Sequence, residues 1–414
     1  MKIVICLPVD HTKHYLDSEI CFITVYEECG SITPYPVQVV SCKSSTPLFA
    51  ADEPLLVYNK RLFDRFFTAK TYDLSTEYWL HTGKDLNIQE VNSTLSLFAR
   101  FYKDYEKPLT YLPLPKLLEI SNILYREFKE TIPEPKVDET SEFYRTTIYP
   151  SIVGIEKNQL QVDLPKFNTC FKKQYIEDKV TCNYFLHTST GRPSNTFDNV
   201  NFSALNKNDG SRESFISRFE NGKLVEFDFD AYHVRLIADM IKYKFPDDIS
   251  IHEYLGKFYF RTESLSEAQY KESKALTFKF LYSTVSEEYR NIEFFKQVET
   301  LKDNIWESVR TTGYIESPVS KKKIYLKNYE DMSRAKLFNY LLQSVETEVS
   351  MLFIKEVIAL LQEKKSKLIL YTYDSFLIDF CLEDGKKLLQ ELTELIKHAK
   401  VKVGDNYQNL KSLG

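Results

Sequence analysis

The stretch Lys223–Arg235, KLVEFDFDAYHVR, restricts the fold more than any other part of the 414-residue chain. Val225, Phe227 and Phe229 alternate with Leu224, Glu226, Asp228 and Asp230, and this period of two reads as a short buried strand. The same period puts Asp228 and Asp230 on one face. Beyond Asp230 the period changes, and Tyr232, Arg235, Leu236 and Asp239 belong to a helix. A carboxylate where a buried strand turns into a helix is well placed to hold a metal ion, although a lone Asp there is more often a cap or turn residue. A second such Asp follows 146 positions later, in LILYTYDSFLIDF (Leu368–Phe380), where two apolar runs flank Tyr373-Asp374-Ser375 as a hairpin tip. Two hard carboxylates on neighbouring strand ends suit Mg²⁺ and phosphoryl transfer.

The remaining chain reads as support for that pair. Lys2–Val9, Ile20–Glu27 and Pro54–Tyr58 read as strands, and Asn59–Phe67 and Leu74–His81 as amphipathic helices, giving an α/β module over residues 1–110. Pro108–Pro115 and Thr131–Thr140 are proline-containing boundaries. Phe143–Asp163 reads as a helix, a turn and a short strand, and Thr188–Asn195 (TSTGRPSN) as a turn-rich loop with one Arg. In Ala268–Tyr282, the residues Lys271, Lys274, Phe278 and Tyr282 share one helix face, two cations and two aromatics suited to a triphosphate and a base. Such a stripe is more commonly a snorkelling face over core. Gly313–Tyr325 reads as a hairpin whose basic tip, Lys321–Lys323, is either a solvated turn or a phosphate contact. Ser333–Leu361 reads as one or two long helices with Asn339 and Gln343 on one face, and Gly385–Lys397 and Val401–Tyr407 as a helix and a strand.

Composition excludes little. A net charge of −5 does not mark a nucleic-acid binder, but one basic cleft is compatible with an acidic exterior. Seven cysteines without a CxxC pair favour reduced thiols over disulfides or zinc. No run approaches the length of a membrane span, and Met1–Pro8 reads as a first strand rather than a signal peptide, so a cytoplasmic protein with no membrane contact is expected.

From about residue 140 onward the order of motifs resembles the family A DNA polymerases, the group of bacterial DNA polymerase I and its phage relatives. Ile148–Asp163 resembles the entry segment of that family, TSTGRPSN its T-x-T-G-R-L-S-S loop, and FDFDAYHVR its motif A. Ser250-Ile251-His252 resembles the D-I-H that follows. Lys274 through Tyr282 is similar to motif B, GYIESPVSKKK to the G-Y-V-x-T-x-x-G-R-R-R hairpin, and Asn339-xxx-Gln343 to the N-xxx-Q helix. Tyr373-Asp374-Ser375 stands at the H-D-E of motif C, and Val403–Tyr407 resembles the terminal V-G-x-N-W. Each match is weak alone; their shared order over more than half of the chain is specific.

The resemblance implies Asp228, by its spacing from Arg235, and Asp374 as catalytic residues holding two Mg²⁺ ions, with Mn²⁺ able to substitute. It implies nucleotide contacts from Lys274, Phe278, Tyr282, His252, His233 and Lys271. It also implies primer–template contacts from Arg192, Asn339, Gln343 and Arg235. Asp230 is left between turn capping and an indirect role. His233 replaces a Glu that excludes the ribose 2′-hydroxyl, Tyr270 an Arg that binds phosphate, and Ser375 the Glu of motif C. Only 24 residues separate Asp163 from Thr188, where the family carries a far longer thumb.

The expected fold is therefore α+β and multidomain. A right-hand polymerase with an antiparallel palm sheet, helical fingers and a much reduced thumb follows an RNase H-like α/β domain. The parts expected are an exonuclease-like domain over 1–110, a linker over 111–140, and palm entry, minimal thumb and motif A over 141–240. The fingers follow over 241–344 and the motif C palm over 345–414. The exonuclease-like part reads as degenerate: Asp10, Asp64 and Asp73 stand near acidic positions, but Thr12 replaces a Glu. The expected activity is template-directed DNA synthesis from dNTPs on primed DNA, of low processivity without a replisome partner, in a phage or another compact replicon. Its alternatives are a related RNA polymerase or primase-like enzyme, and an impaired polymerase kept as a replication scaffold.

Overall fold

The computed structural model describes residues 2–8, 13–17, 20–28, 31–34, 38–40, 55–58, 71–84, 138–198, 200–246 and 248–413. The expected helix Asn59–Phe67, the Pro108–Pro115 boundary, Asp10, Thr12 and Asp64 lie outside them. The chain divides into two compact units. One comprises Met1–Thr188, Ser194–Phe215 and Leu368–Leu370; the other comprises Ser189–Pro193, Ile216–Lys367 and Tyr371–Gly414.

In the first unit, β1 (Lys2–Pro8), β2 (Ile20–Glu28), β3 (Ser31–Pro34), β4 (Gln38–Val40), β5 (Leu55–Tyr58) and β6 (Thr71–Asp73) form a mixed sheet of order β3-β2-β1-β5-β6, with β4 also on β2. β1 is antiparallel to β2 and parallel to β5, which is parallel to β6. Asp73 closes β6 and caps α1 (Leu74–Thr82), accepting from the amides of Ser75 at 2.9 Å and Thr76 at 3.1 Å. Its carboxylate is thus spent on two N–H groups that the helix start leaves without partners. A helical run over Glu139–Glu156 contains a π-helical stretch, Tyr144–Ile148, and ends in α2 (Tyr149–Glu156). Asp163 then caps α3 (Leu164–Phe171), the one helix described between Asp163 and Thr188.

The second unit is built on the opening strand, β7 (Lys223–Phe229), and α4 (Tyr232–Ile241). Then come α5 (Ile251–Phe260), α6 (Glu267–Tyr282), α7 (Glu293–Thr312) and the hairpin of β8 (Tyr314–Glu316) and β9 (Lys323–Tyr325). A single 27-residue helix follows, α8 (Arg334–Leu360). β10 (Lys367–Thr372), β11 (Ser375–Phe380), α9 (Gly385–Leu395), β12 (Ala399–Gly404) and β13 (Lys411–Ser412) complete it. The sheet order is β10-β11-β7-β12-β13, so the strand read first from the sequence is central. Phe227, Phe376, Ile378 and Leu224 are fully buried on it, each stabilising the fold by about 1.5–3 kcal/mol relative to exposure. At its far end Asp379, also fully buried, is held by Ser217 Oγ at 2.6 Å and by the Arg218 amide and Nε at 3.1 and 2.7 Å.

Helix α6 starts with a Ser266–Gln269 capping box. It ends over the buried Lys302 of α7, whose ammonium donates to the carbonyls of Phe280 at 3.1 Å and Ser283 at 2.9 Å. A cation under a helix C-terminus answers both its unpaired carbonyls and its dipole. No helix among the described residues is long and apolar enough to cross a membrane.

Candidate active site

Register brings the two sequence-distant carboxylates together. β7 and β11 pair antiparallel with Asp228 opposite Ser375, and the Phe229 amide donates to the Asp374 carbonyl at 2.8 Å. Two non-glycine residues with positive φ flank the site: Ala231 at 51° begins α4, and Tyr373 at 59° turns the hairpin tip. Holding such residues in the left-handed region costs about 1–3 kcal/mol each, the kind of local strain that collects at functional sites. The Tyr373 carbonyl is tied to Ser350 Oγ of α8 at 3.3 Å, and Phe229 stacks on Tyr232 with 4.3 Å between ring centroids.

A cleft of about 360 Å³ opens over this pair. Arg192, Asp228, Asp230, His233, Lys274, Phe278, Tyr282, Glu346, Asp374 and Lys400 supply its polar and aromatic walls. Seven of the expected site residues therefore share one cavity, Asp228, Asp374, Lys274, Phe278, Tyr282, His233 and Arg192, and Asp230 lines it with them. Phe278 and Tyr282 lie nearly parallel, 12° apart, on one side of α6.

Other expected site residues sit elsewhere. Lys271 points to solvent and pairs with Glu267 one turn earlier at 2.6 Å. His252 is buried against Tyr270 and Phe278, and neither ring nitrogen has a hydrogen-bond partner. Burial pushes its imidazole down to about 4, with Asp230 opposing and Lys274, Lys400 and Arg235 reinforcing the shift. Arg235 Nε donates to the Asp230 carbonyl at 2.9 Å and braces the turn after β7. Asn339 and Gln343 bond to each other on α8 at 3.2 Å, and Gln343 accepts from Thr190 Oγ1 at 3.2 Å. Lys322, one of the three tip lysines, is neither a solvated turn residue nor exposed. It is buried and donates to the Thr190 carbonyl at 2.8 Å, pinning the loop that carries Arg192.

Three charged residues of the site were not found in the sequence. Glu346 of α8, 2% exposed, faces Arg192 Nε and His233 Nε2, each at 3.0 Å. Neither of these two contacts is a directed hydrogen bond, but Arg192 Nη2 also donates to Glu346 Oε1, at 3.5 Å. His233 Nδ1 meets the Tyr282 hydroxyl at 2.6 Å, and the Arg192 guanidinium lies 3.7 Å above the Tyr373 ring. Glu346 falls three residues after Gln343 on the same helix, a spacing that could have disclosed it. Lys400 and Lys402 of β12 are the other two. Lys400 pairs with Asp230 at 2.6 Å, and Lys402 with Asp228 at 2.5 Å and Glu226 at 3.0 Å.

Electrostatics set the two carboxylates apart. Asp374 opens onto the cleft, yet protein encloses most of it. That loss of water pushes its carboxyl up to about 6, with the charge of Asp228 and then Glu346 adding to the effect. Burial alone would lower the Lys402 ammonium, but Asp228 and Glu226 outweigh it and hold it above the usual range. Burial, then Glu346, pushes the Tyr282 hydroxyl up to about 12.

The chain has the fold of a DNA polymerase domain. The solved structure carrying that comparison is described as the POL domain of Pol1 from M. smegmatis in complex with DNA primer-template and dNTP. It aligns with a TM-score of 0.66 at 11% sequence identity, covering 99% of this chain and 96% of that one. No protein-family profile matches the chain, and no curated protein matches its sequence.

Proposed function

We propose that the chain is a family A DNA polymerase that extends a primer 3′-hydroxyl from dNTPs on a DNA template. The observation that carries this reading is the convergence of Asp228 and Asp374 in one cleft with Lys274, Phe278 and Tyr282. The polymerase-domain fold, shared with a structure described as holding primer-template and dNTP, supports it.

The donor set fits a divalent cation. Asp228 and Asp374 are hard oxygen donors, and the charge of one raises the proton affinity of the other, a repulsion that a cation between them relieves. Among the described residues no larger cluster of His, Cys, Asp and Glu competes for this role. Bound Mg²⁺ would lower the pKa of the primer hydroxyl and neutralise the triphosphate and the departing pyrophosphate. In this reading Lys274 pairs with the incoming phosphates, and the parallel rings of Phe278 and Tyr282 border the base pair. His233 stands beside the sugar, held between Tyr282 and Glu346. Arg192, Asn339 and Gln343 face the primer end, with Arg192 braced on Tyr373.

The sheet of the first unit, with β2 antiparallel to β1 while β5 and β6 run parallel to it, supports an RNase H-like domain preceding the palm. The capping duty of Asp73 supports reading that domain as a remnant without 3′–5′ exonuclease activity. The single helix α3 supports the reduced thumb, with palm entry, fingers and motif C palm over 141–240, 241–344 and 345–414. Such a chain would need a replisome partner for long synthesis, as in a phage or compact replicon.

Primer extension with Mg²⁺ tests the reading. The unsubstituted chain should add dNTPs to a primed template, and Asp374→Ala should lower kcat by at least about a thousandfold. No incorporation by the unsubstituted chain refutes the proposal; preferential incorporation of rNTPs would favour the RNA polymerase alternative.

A further inference from the structure

The ammonium of Lys402 sits where the proposed chemistry wants a metal. In the β7–β12 register Lys402 is opposite Glu226, and Lys400 is opposite Asp228. Yet Lys402 reaches across the pair, bonding Glu226 Oε2 at 3.0 Å and Asp228 Oδ2 at 2.5 Å from one nitrogen. Lys400 is engaged by Asp230 instead, at 2.6 Å.

We propose that Lys402 is an internal cation that competes with a divalent metal for Asp228 and withdraws to Glu226 when the metal binds. This rests on the reading of Asp228 and Asp374 as metal ligands.

Three features carry it. First, Lys402 already holds both anchors, so releasing Asp228 requires only a short swing and leaves no ammonium unpaired. Second, the two anchors differ in setting: the Glu226 side chain is 8% exposed and that of Asp228 is 33% exposed. The more open carboxylate is available to an incoming ion, whereas the buried one needs a permanent counter-charge. Third, Lys402 offsets only one of the three carboxylates Glu226, Asp228 and Asp374, so the group can still attract a divalent ion. Lys402 thereby keeps Asp228 in place before the metal arrives and weakens metal affinity by making the ion compete. It is a positioning residue and touches no substrate in this scheme.

The test is direct Mn²⁺ binding to the full chain, without DNA or nucleotide, followed by electron paramagnetic resonance of the free ion at fixed pH. Lys402→Met removes the competitor and should tighten Mn²⁺ binding by roughly three- to tenfold. Glu226→Gln removes the retreat and should weaken it by a similar factor. Lys402→Arg, which keeps the charge and should hold Asp228 with a fork, should also weaken it, and it serves where the Met variant fails to fold. Opposite shifts for Lys402→Met and Glu226→Gln support the proposal, because a merely structural role would move both the same way. Unchanged or parallel shifts overturn it while leaving the metal reading intact. Should Asp374→Asn leave Mn²⁺ binding untouched, the metal site itself is refuted and the inference goes with it.

Discussion

His233 Nε2 and Glu346 Oε1 lie 3.0 Å apart while the other ring nitrogen of His233 meets the Tyr282 hydroxyl at 2.6 Å. The imidazole is gripped from both edges. Nδ1 shares a hydrogen bond with the Tyr282 hydroxyl, and the carboxylate beside Nε2 attracts the ring electrostatically. A side chain held this way cannot swing aside to admit a larger sugar. His233→Ala should therefore raise rNTP use relative to dNTP by about tenfold or more, the scale at which a pocket rejects an added group. Glu346→Gln should move the same ratio in the same direction by a smaller factor. Single-nucleotide kcat/KM values for the two sugars decide it, and an unchanged ratio in both variants would show that another wall selects the sugar.

Gly256 is where α5 and α6 touch. An added Cβ would lie 2.4 Å from Leu265 Cδ1 and 3.0 Å from Ser273 Cβ, and Ser273 Oγ donates to the His252 carbonyl across the same contact at 2.5 Å. Leu265 can give way, but Ser273 is fixed on α6. Gly256→Ala should cost about 1–3 kcal/mol. Because α6 carries Lys274, Phe278 and Tyr282, the KM for dNTP should rise as well. Thermal melts and steady-state kinetics check the two effects together.

Glu77, in the first unit, offers a pH handle. Burial pushes its carboxyl up to about 7, against its hydrogen bond from Ser141, with Asp138 and Asp73 adding to the rise. The folded form thus binds a proton more tightly than the unfolded form. The stability this contributes is complete below about 4.5 and is lost as pH climbs through about 7. Glu77→Gln should flatten that decline and stabilise the chain at pH 8 by on the order of 1–2 kcal/mol after solvent screening. Denaturant melts across the interval measure it. An equal slope in both proteins would clear Glu77 of the effect.

With α3 as the one helix described between Asp163 and Thr188, the grip on DNA should depend mainly on phosphate contacts. Duplex affinity should then fall linearly in log–log form with salt, and products should shorten in step. Kilobase products from the chain alone at physiological salt would contradict this.

The elements nearest the site were the most legible from sequence. The strand ending at Phe229, the turn into α4 and the Asp374 hairpin each carry a change of hydrophobic period, which survives any drift in the surrounding residues. Glu346, Lys400 and Lys402 were not legible, because each looks locally like an ordinary polar residue on a helix or strand. Their roles depend on partners 154, 170 and 174 positions away, at Arg192, Asp230 and Asp228. The basic tip was left between a solvated turn and a phosphate contact, and a run of three lysines gives no sign that the middle one turns inward, where Thr190 offers a buried carbonyl. The solitary burial of His252, with no partner on either nitrogen, has no signature in a linear pattern.

The facing of Asp228 and Ser375 across β7 and β11 makes strand length, rather than residue identity, the quantity this fold has to inherit. A substitution beside the pair changes one contact. A single-residue insertion in either strand would turn every following side chain to the opposite face and carry a carboxylate out of the cleft. The fold is shared with a solved polymerase domain at 11% identity, so here the pairing is carried by geometry more than by most individual residues.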